Sequence, residues 1–308
     1  MRSHNWVIEF RHNNRANMYR VLQTVVSTSS KYQEILIAEV QGFGRALFLD
    51  GIPQSSALDK DIYHEVLIHP ALVAHKHPKR VFVAGGGEGA VLHEILKHNT
   101  VERVVMVDID DVVTDLAKIH LKDWHQGTFD DKRVELINGD ALAYLAASEE
   151  HFDCIIMDLT DPFEDGISQS LFTSEFFHLV KSHLTEDGVL AMQSETSVYG
   201  DHSNYVAIGK TLQNCFPSAL SYQAFMPFYG LPWGFAIAGK QDLRARFRPQ
   251  TLTQTLIDRG CTDLKFYDAE THQHMFALPK YLRADLSNQE MDATGSNSPK
   301  LAVTRPFS

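Results

Sequence analysis

From Asp61 to about Lys240, short apolar runs alternate with amphipathic stretches, and this pattern restricts the fold more than any other feature of the chain. Arg80–Ala84, Val104–Asp108, Val134–Ile137, Cys154–Asp158 and Gly188–Met192 read as buried strands. After the first strand, Val91, Leu92, Ile95 and Leu96 share one helical face; after the second, Val112, Leu116 and Ile119 do so. Strands separated by whole helices cannot pair as hairpins. They need right-handed crossovers and a parallel sheet covered on both faces. The expected fold class is α/β, with a doubly wound sheet.

The flanks differ. Residues 1–60 carry no helical period and read as β-rich, with strands at Arg20–Ser27, Glu34–Val40 and Arg45–Asp50 and turns at Gly42, Gly44 and Asp50-Gly51. A sheet of three or four such strands is too small to stand alone, so it should pack on the main domain or on another subunit. The expected organisation is a small β domain over 1–60, a larger α/β domain over 61–285 and a polar, loosely ordered tail over 286–308. A helix is expected near Pro249–Arg259, and an irregular stretch around Met275–Pro279.

Composition removes several function classes. The 308 residues hold 28 Lys+Arg against 39 Asp+Glu, a net charge of -11. A general nucleic-acid binder needs the opposite sign to displace counterions, whereas a cationic small molecule is compatible. No apolar run approaches 18 residues, so no membrane span is expected, and Met1–Phe10 lacks a secretory pattern. Cys154, Cys215 and Cys261 are far apart without a CxxC pair, which argues against disulfides or structural zinc and for a cytoplasmic location. Cys154, inside an apolar strand, reads as a small core residue. The 16 histidines show no paired ligand spacing, so no metal is expected; His69, His75 and His77 read as helix-surface or loop residues.

Gly85-Gly-Gly-Glu-Gly89 joins the first strand to its helix, where glycines let a ligand approach backbone and a helix N-terminus offers free N–H groups. The motif fits two patterns: Gly85, Gly87 and Ala90 match GxGxxG/A, and Gly85, Gly87 and Gly89 match GxGxG. Asp108 ends the second strand about 20 residues on, placed to accept both ribose hydroxyls, with Asp110 near the same edge. Asp140, in Gly139-Asp-Ala141, ends the third and could accept from an adenine amino group. Singly, Asp108 and Asp140 also fit surface or capping roles; together they outline an adenosine pocket.

Asp158-Leu-Thr-Asp-Pro162 ends the fourth strand and decides between cofactors. Two carboxylates three residues apart would repel a phosphate-bearing cofactor. They suit a cation that must be oriented and then deprotonated. Taken alone, Asp158 could be a helix cap and Asp161-Pro162 a turn.

Gly85–Gly89, Val107-Asp-Ile-Asp110, Phe129-Asp-Asp-Lys-Arg-Val134 and Asp158–Pro162 resemble, in order and spacing, the polyamine aminopropyltransferases (spermidine synthases and relatives). Tyr32-Gln33, Leu49-Asp-Gly-Ile-Pro-Gln54, Tyr63-His-Glu65, Met226-Pro-Phe-Tyr229 and Trp233-Gly-Phe235 are similar to further segments of that family. The resemblance implies a class I methyltransferase-like sheet over 61–285 carrying catalysis, and an N-terminal β domain that rims the site and builds homodimers or homotetramers. It implies decarboxylated S-adenosylmethionine as co-substrate, with no tightly bound cofactor and no metal, and a small polyamine as partner. Nucleic acid and membrane are not expected partners. By position, Gln33, Gly85, Gly87, Glu88, Asp108, Asp140 and Ala141 would hold the nucleoside donor. Tyr63, His64, Glu88, Leu159, Thr160, Asp161 and Tyr229 would line the aminopropyl and amine channel, with Asp158 as base.

The reaction implied is an in-line displacement at the carbon beside a sulfonium. Its obstacle is that an alkylamine, with a pKa of about 10.4, is an unreactive ammonium at neutral pH, while a free Asp sits near about 3.9. Burial would narrow that gap. Glu88, often Asp in the family, would attract the ammonium of the decarboxylated donor and repel the extra carboxylate of S-adenosylmethionine. The acceptor expected first is putrescine, on Tyr229; Phe163-Glu-Asp-Gly166 departs from the family's usual loop and keeps agmatine and spermidine open. Trp124-His125 reads equally as a lid or as an aromatic packed at the domain edge. Rival readings are an S-adenosylmethionine methyltransferase, a nicotinamide-dependent dehydrogenase and a catalytically idle scaffold.

Overall fold

The computed structural model describes residues 5–11, 15–161 and 169–288. Its first five strands, β1 (Asn5–Arg11), β2 (Arg15–Ser29), β3 (Glu34–Val40), β4 (Gly44–Leu49) and β5 (Ile52–Ser56), form an antiparallel sheet in chain order. That is a larger sheet than the three or four strands expected, because the polar-apolar alternation already begins at Asn5 and β2 runs for 15 residues. In β3 the side chains of Ile35 and Ile37 are buried against Leu47, Leu49, Val113, Ala117 and Trp124. Tyr19, Ala38 and Phe48 join the core beneath α1 (Lys60–Ala74). The small sheet therefore packs on helices of the main domain.

Beyond α1 come β6 (Arg80–Gly85), α2 (Ala90–Leu96), β7 (Arg103–Asp108), α3 (Asp111–His120), α4 (Lys122–His125), β8 (Val134–Asn138), α5 (Ala141–Ala147) and β9 (Phe152–Asp158). The chain continues through α6 (Ser174–His183), β10 (Leu184–Thr196), α7 (Ser203–Cys215), β11 (Ser218–Met226) and β12 (Leu231–Gly239). It closes with α8 (Pro249–Asp258), α9 (Ala269–Phe276) and α10 (Lys280–Ser287). The sheet order is β11-β12-β10-β9-β6-β7-β8. The five expected strands are parallel, but β12 runs antiparallel to both β10 and β11. The helix-crossover rule does not reach β11 and β12, which are joined by a tight turn and pair as a hairpin. Strand order reverses beside β6, with β7 on one side and β9 on the other, so the carboxyl ends of β6 and β9 open a crevice.

Three local expectations change. In α3 the buried stripe is Val113, Thr114 and Ala117, while Ile119 is 61% exposed. Asp110 caps α3 by accepting from the Val112 and Val113 N–H groups; Val113 and Ala117 pack with Ile35, Ile37, Leu47 and Leu49 of the N-terminal sheet, and Val112 and Leu116 are partly buried beside them. Met275 and Phe276 are not irregular but end α9, which Asp268 caps. His69 and His75 are buried rather than on the surface, whereas His77 is exposed. Of the expected tail, Leu286 and Ser287 belong to α10; residues 289–308 lie outside the described residues.

Pro70 sits inside α1, where its missing N–H leaves the Val66 carbonyl without its helical partner. The Tyr222 hydroxyl donates to that carbonyl at 3.0 Å, so α1 is tied to β11. This matters because α1 carries Tyr63 and His64 to the mouth of the crevice.

Candidate active site

The crevice holds a cleft with about 140 Å³ of room for water-sized occupants. Gly85, at the end of β6, has φ +80, and a Cβ there would lie 2.2 Å from the Asp158 carbonyl oxygen. Gly86 N donates to that same oxygen at 3.0 Å. A Cβ on Gly87 would come 2.9 Å from Asp108 Oδ2. These glycines thus let the ends of β6, β7 and β9 converge, bringing their carboxylates into one space.

Of the residues expected at the site, Gln33, Gly85, Gly87, Glu88, Asp108, Asp140 and Ala141 all line the cleft. So do Tyr63, Asp158, Leu159, Thr160 and Tyr229. Two do not. His64 lies behind Glu88, with its Nε2 3.0 Å from Glu88 Oε1. Asp161 stands beside the cleft, accepting from Gln193 Nε2 at 3.1 Å. Phe163-Glu-Asp-Gly166, the segment that departs from the family's usual loop, lies outside the described residues.

Five carboxylates line the cleft (Glu88, Asp108, Asp110, Asp140 and Asp158), and among the described residues no Lys or Arg does. Each is fixed by its own element. Asp158 Oδ1 accepts from the Tyr63 hydroxyl at 3.0 Å. Burial pushes the Asp158 carboxyl up to about 6; His64 pulls it down, Glu88 raises it further, and the Tyr63 hydrogen bond resists. Asp108 accepts from Asp110 N at 2.8 Å, and burial likewise lifts it to about 6 against the Asp110 and Gly87 amides. Burial and the Asp158 charge hold Tyr63 neutral, well above the usual phenol range. Asp140 accepts from Leu142 N at 2.8 Å and Ala143 N at 3.3 Å as the cap of α5, so its capping and cleft-lining roles coexist.

The surroundings of His64 favour its imidazolium form: Nδ1 lies 2.6 Å from the Lys60 carbonyl and Nε2 3.0 Å from Glu88 Oε1. Burial opposes this charge, but Glu88 and Asp158 outweigh it and raise His64 to about 9. The other Glu88 oxygen accepts from Ser55 Oγ at 2.5 Å, and Ser55 Oγ accepts from Trp124 Nε1 at 2.9 Å. Trp124 is therefore a buried packing residue rather than a lid.

Several partners that hold the expected residues in place had no signal in the sequence. Gln33 is oriented by Asp110, whose Oδ2 accepts from its Nε2 at 2.8 Å and from Ser30 Oγ at 2.6 Å. Tyr229 donates to the Gln54 carbonyl at 2.5 Å, and Asp59 accepts from Phe228 N at 2.7 Å, holding the β11–β12 turn over the cleft. Gln193 Nε2 also donates to the Leu159 carbonyl at 3.1 Å. Glu195 has φ +62, and Asn204 Nδ2 donates to both its carboxyl oxygens; burial and the nearby Asp161 charge push it up to about 8. Nothing in spacing marks a strained, buried Glu195, because the neighbours that make it so come from α7 and the end of β9.

Residues 60–247 match the spermine/spermidine synthase domain, and residues 5–56 match the spermidine synthase tetramerisation domain. The chain belongs to the spermine/spermidine synthase family. A polyamine aminopropyltransferase of Sulfolobus acidocaldarius is 36% identical over 292 residues, 95% of this chain and 96% of the relative. Polyamine aminopropyltransferase 2 of Hyperthermus butylicus is 41% identical over 266 residues, 86% and 87% of the two chains. A spermidine synthase solved with the transition state analogue AdoDATO superposes with a TM-score of 0.86 at 33% identity, covering 92% of this chain and 96% of that one. The protein is thus a transferase of the aminopropyltransferase type, as its motifs led one to expect, on the expected fold.

Proposed function

We propose that the chain moves the aminopropyl group of decarboxylated S-adenosylmethionine to putrescine, giving spermidine and 5′-methylthioadenosine. The observation that carries this reading is the cleft with five carboxylates and, among the described residues, no lining Lys or Arg. Such a cleft attracts a sulfonium and a diamine and repels the phosphates of a nicotinamide cofactor. The relative solved with AdoDATO supports an adenosyl-bearing donor. Gln33, Asp108, Asp140 and Ala141 would hold the nucleoside, Gly85 and Gly87 would admit it, and Glu88 would take the aminopropyl ammonium.

The acceptor enters as an ammonium between Asp158, Thr160, Leu159 and Tyr229, with Asp161 steering from beside the cleft. Asp158, raised to about 6 by burial, is better matched to an ammonium proton than a solvated Asp would be. Tyr63 donates to Oδ1 and leaves Oδ2 to receive the proton. The freed lone pair attacks the methylene, the nitrogen–carbon bond forms, and the carbon–sulfur bond breaks with its electrons going to sulfur. No covalent enzyme intermediate is needed; orientation supplies much of the acceleration.

The β1–β2 hairpin supports self-association. Ile8 pairs with Met18 in register, and Trp6, Ile8, Phe10, Met18 and Leu22 are all at least 44% exposed. An apolar face of this kind is covered in a homodimer or homotetramer. No described helix is long and apolar enough to cross a membrane, and we assign the enzyme to the cytoplasm on its buried, free cysteines. One incubation tests the reading: decarboxylated S-adenosylmethionine with putrescine, agmatine, cadaverine and spermidine, products read by mass. Spermidine with methylthioadenosine is the expected pair. A product from agmatine or spermidine instead would move the acceptor assignment, and no methylthioadenosine with any of the amines would overturn the reading.

A further inference from the structure

Away from the cleft lining, three ligand side chains from separate elements converge in the core. His69 of α1, His98 just beyond α2 and Cys261 just beyond α8 hold one ligand atom each, all within 4.8 Å of one another. His69 and His98 are fully buried and Cys261 is 4% exposed. His69 Nε2 lies 3.1 Å from Glu94 Oε2, and its Nδ1 lies 2.9 Å from His98 Nε2. Glu94 is also paired with Lys97 at 2.7 Å. With the His69 hydrogen on Nε2 toward Glu94, Nδ1 is left to accept from His98 Nε2. A carboxylate behind an imidazole in this way is what orients a metal-bound histidine.

We propose that His69 Nδ1, His98 Nε2 and Cys261 Sγ form a binding site for a borderline-soft divalent metal, Zn²⁺ foremost, with water as the fourth ligand. Two imidazoles and a thiolate are a zinc ligand set. At a tetrahedral angle, Zn–N of about 2.0 Å and Zn–S of about 2.3 Å put the ligand atoms about 3.3–3.5 Å apart, so the two imidazoles part slightly from 2.9 Å and the thiol closes in from within 4.8 Å. Binding sends the Cys261 thiol proton to solvent and shifts the His98 hydrogen from Nε2 to Nδ1. The metal would tie α1 to the ends of α2 and α8.

The test uses the full chain, tag removed and stripped with chelator, titrated with Co²⁺ and followed by absorption. A thiolate-to-cobalt charge-transfer band saturating at one Co²⁺ per chain, displaced by Zn²⁺, is expected. It should vanish in Cys261→Ser and persist in Cys215→Ser, and Glu94→Gln should weaken Zn²⁺ binding about 10–100-fold in a chelator competition. X-ray absorption of the zinc-loaded wild type gives a readout that does not depend on any variant folding: one sulfur in the first shell supports the site. Absence of the cobalt band, its survival in Cys261→Ser, or a sulfur-free zinc shell overturns it.

Discussion

The imidazolium of His64 and the carboxylate of Glu88 form a buried ion pair with 3.0 Å between Nε2 and Oε1. The pair sets how much negative charge the cleft presents at its aminopropyl end, since Glu88 lines the cleft and His64 does not. His64 in the folded chain sits at about 9 against an ordinary 6.5. The stability it contributes is therefore complete below about pH 6.5 and is lost as pH rises through about 9. A rise of that size corresponds to about 3 kcal/mol. Urea unfolding from pH 6 to 10 should show this fall in the wild type and a flatter profile in His64→Gln. At pH 7, His64→Gln should lose about 3 kcal/mol, and the double variant His64→Gln/Glu88→Gln should regain part of it. Full additivity of the two substitutions would contradict the pairing.

Asp158→Asn should lower turnover about 10²–10⁴-fold while calorimetry finds methylthioadenosine binding nearly unchanged. The same variant should be more stable than wild type at pH 8, by about 1–3 kcal/mol. The sign follows from a carboxyl raised to about 6 by burial: its ionisation costs stability above that pH, and the cost disappears below about 4. Near-normal turnover would remove Asp158 from the role of base.

The pH profile of kcat/KM should carry an acidic limb near about 6, where Asp158 and Asp108 both titrate. Because the two interact, the limb belongs to the cluster rather than to either residue. Asp158→Asn should reduce the height of the profile without restoring activity at low pH. A limb near 4 would mean that the carboxylates are solvated in the working enzyme.

Glu88→Gln should reduce the preference for decarboxylated over intact S-adenosylmethionine by about tenfold, equivalent to about 1.4 kcal/mol. Two unit charges about 4 Å apart could in principle be worth about 4 kcal/mol at an effective dielectric of about 20, but the His64 cation offsets part of the Glu88 charge. Competitive binding of both compounds to wild type and variant measures it. An unchanged preference would assign discrimination to shape.

Ile8→Asp, placed at the centre of the exposed hairpin face opposite Met18, should shift the assembly to smaller species in sedimentation while leaving the fold intact. If the sedimentation coefficient stays the same, the hairpin is not the interface.

Much of the site could be read from the chain because its parts are local. Gly85, Asp108, Asp140 and Asp158 sit at strand ends or just beyond them, and strand ends in a doubly wound sheet share one edge. The hidden part is non-local. Ser55 and Trp124 hold Glu88, and His64 neutralises part of it, across separations no spacing rule covers. His69 read as a surface residue from its helix, yet its partners His98, Glu94 and Cys261 arrive from elsewhere and bury it.

By itself the sequence determined the five parallel strands, the convergence of acidic residues on their carboxyl edge and the family those motifs belong to. Periods of 2 and 3.6 and a glycine run are properties of neighbouring residues, set by backbone geometry alone. Only the tertiary structure decided the rotation of α3 that exposes Ile119, the antiparallel β11–β12 hairpin over the cleft and the charge state of His64. Those depend on which surfaces meet when elements far apart in the chain exclude water from between them, and burial changes both the packing face and the ionisation of whatever is caught there.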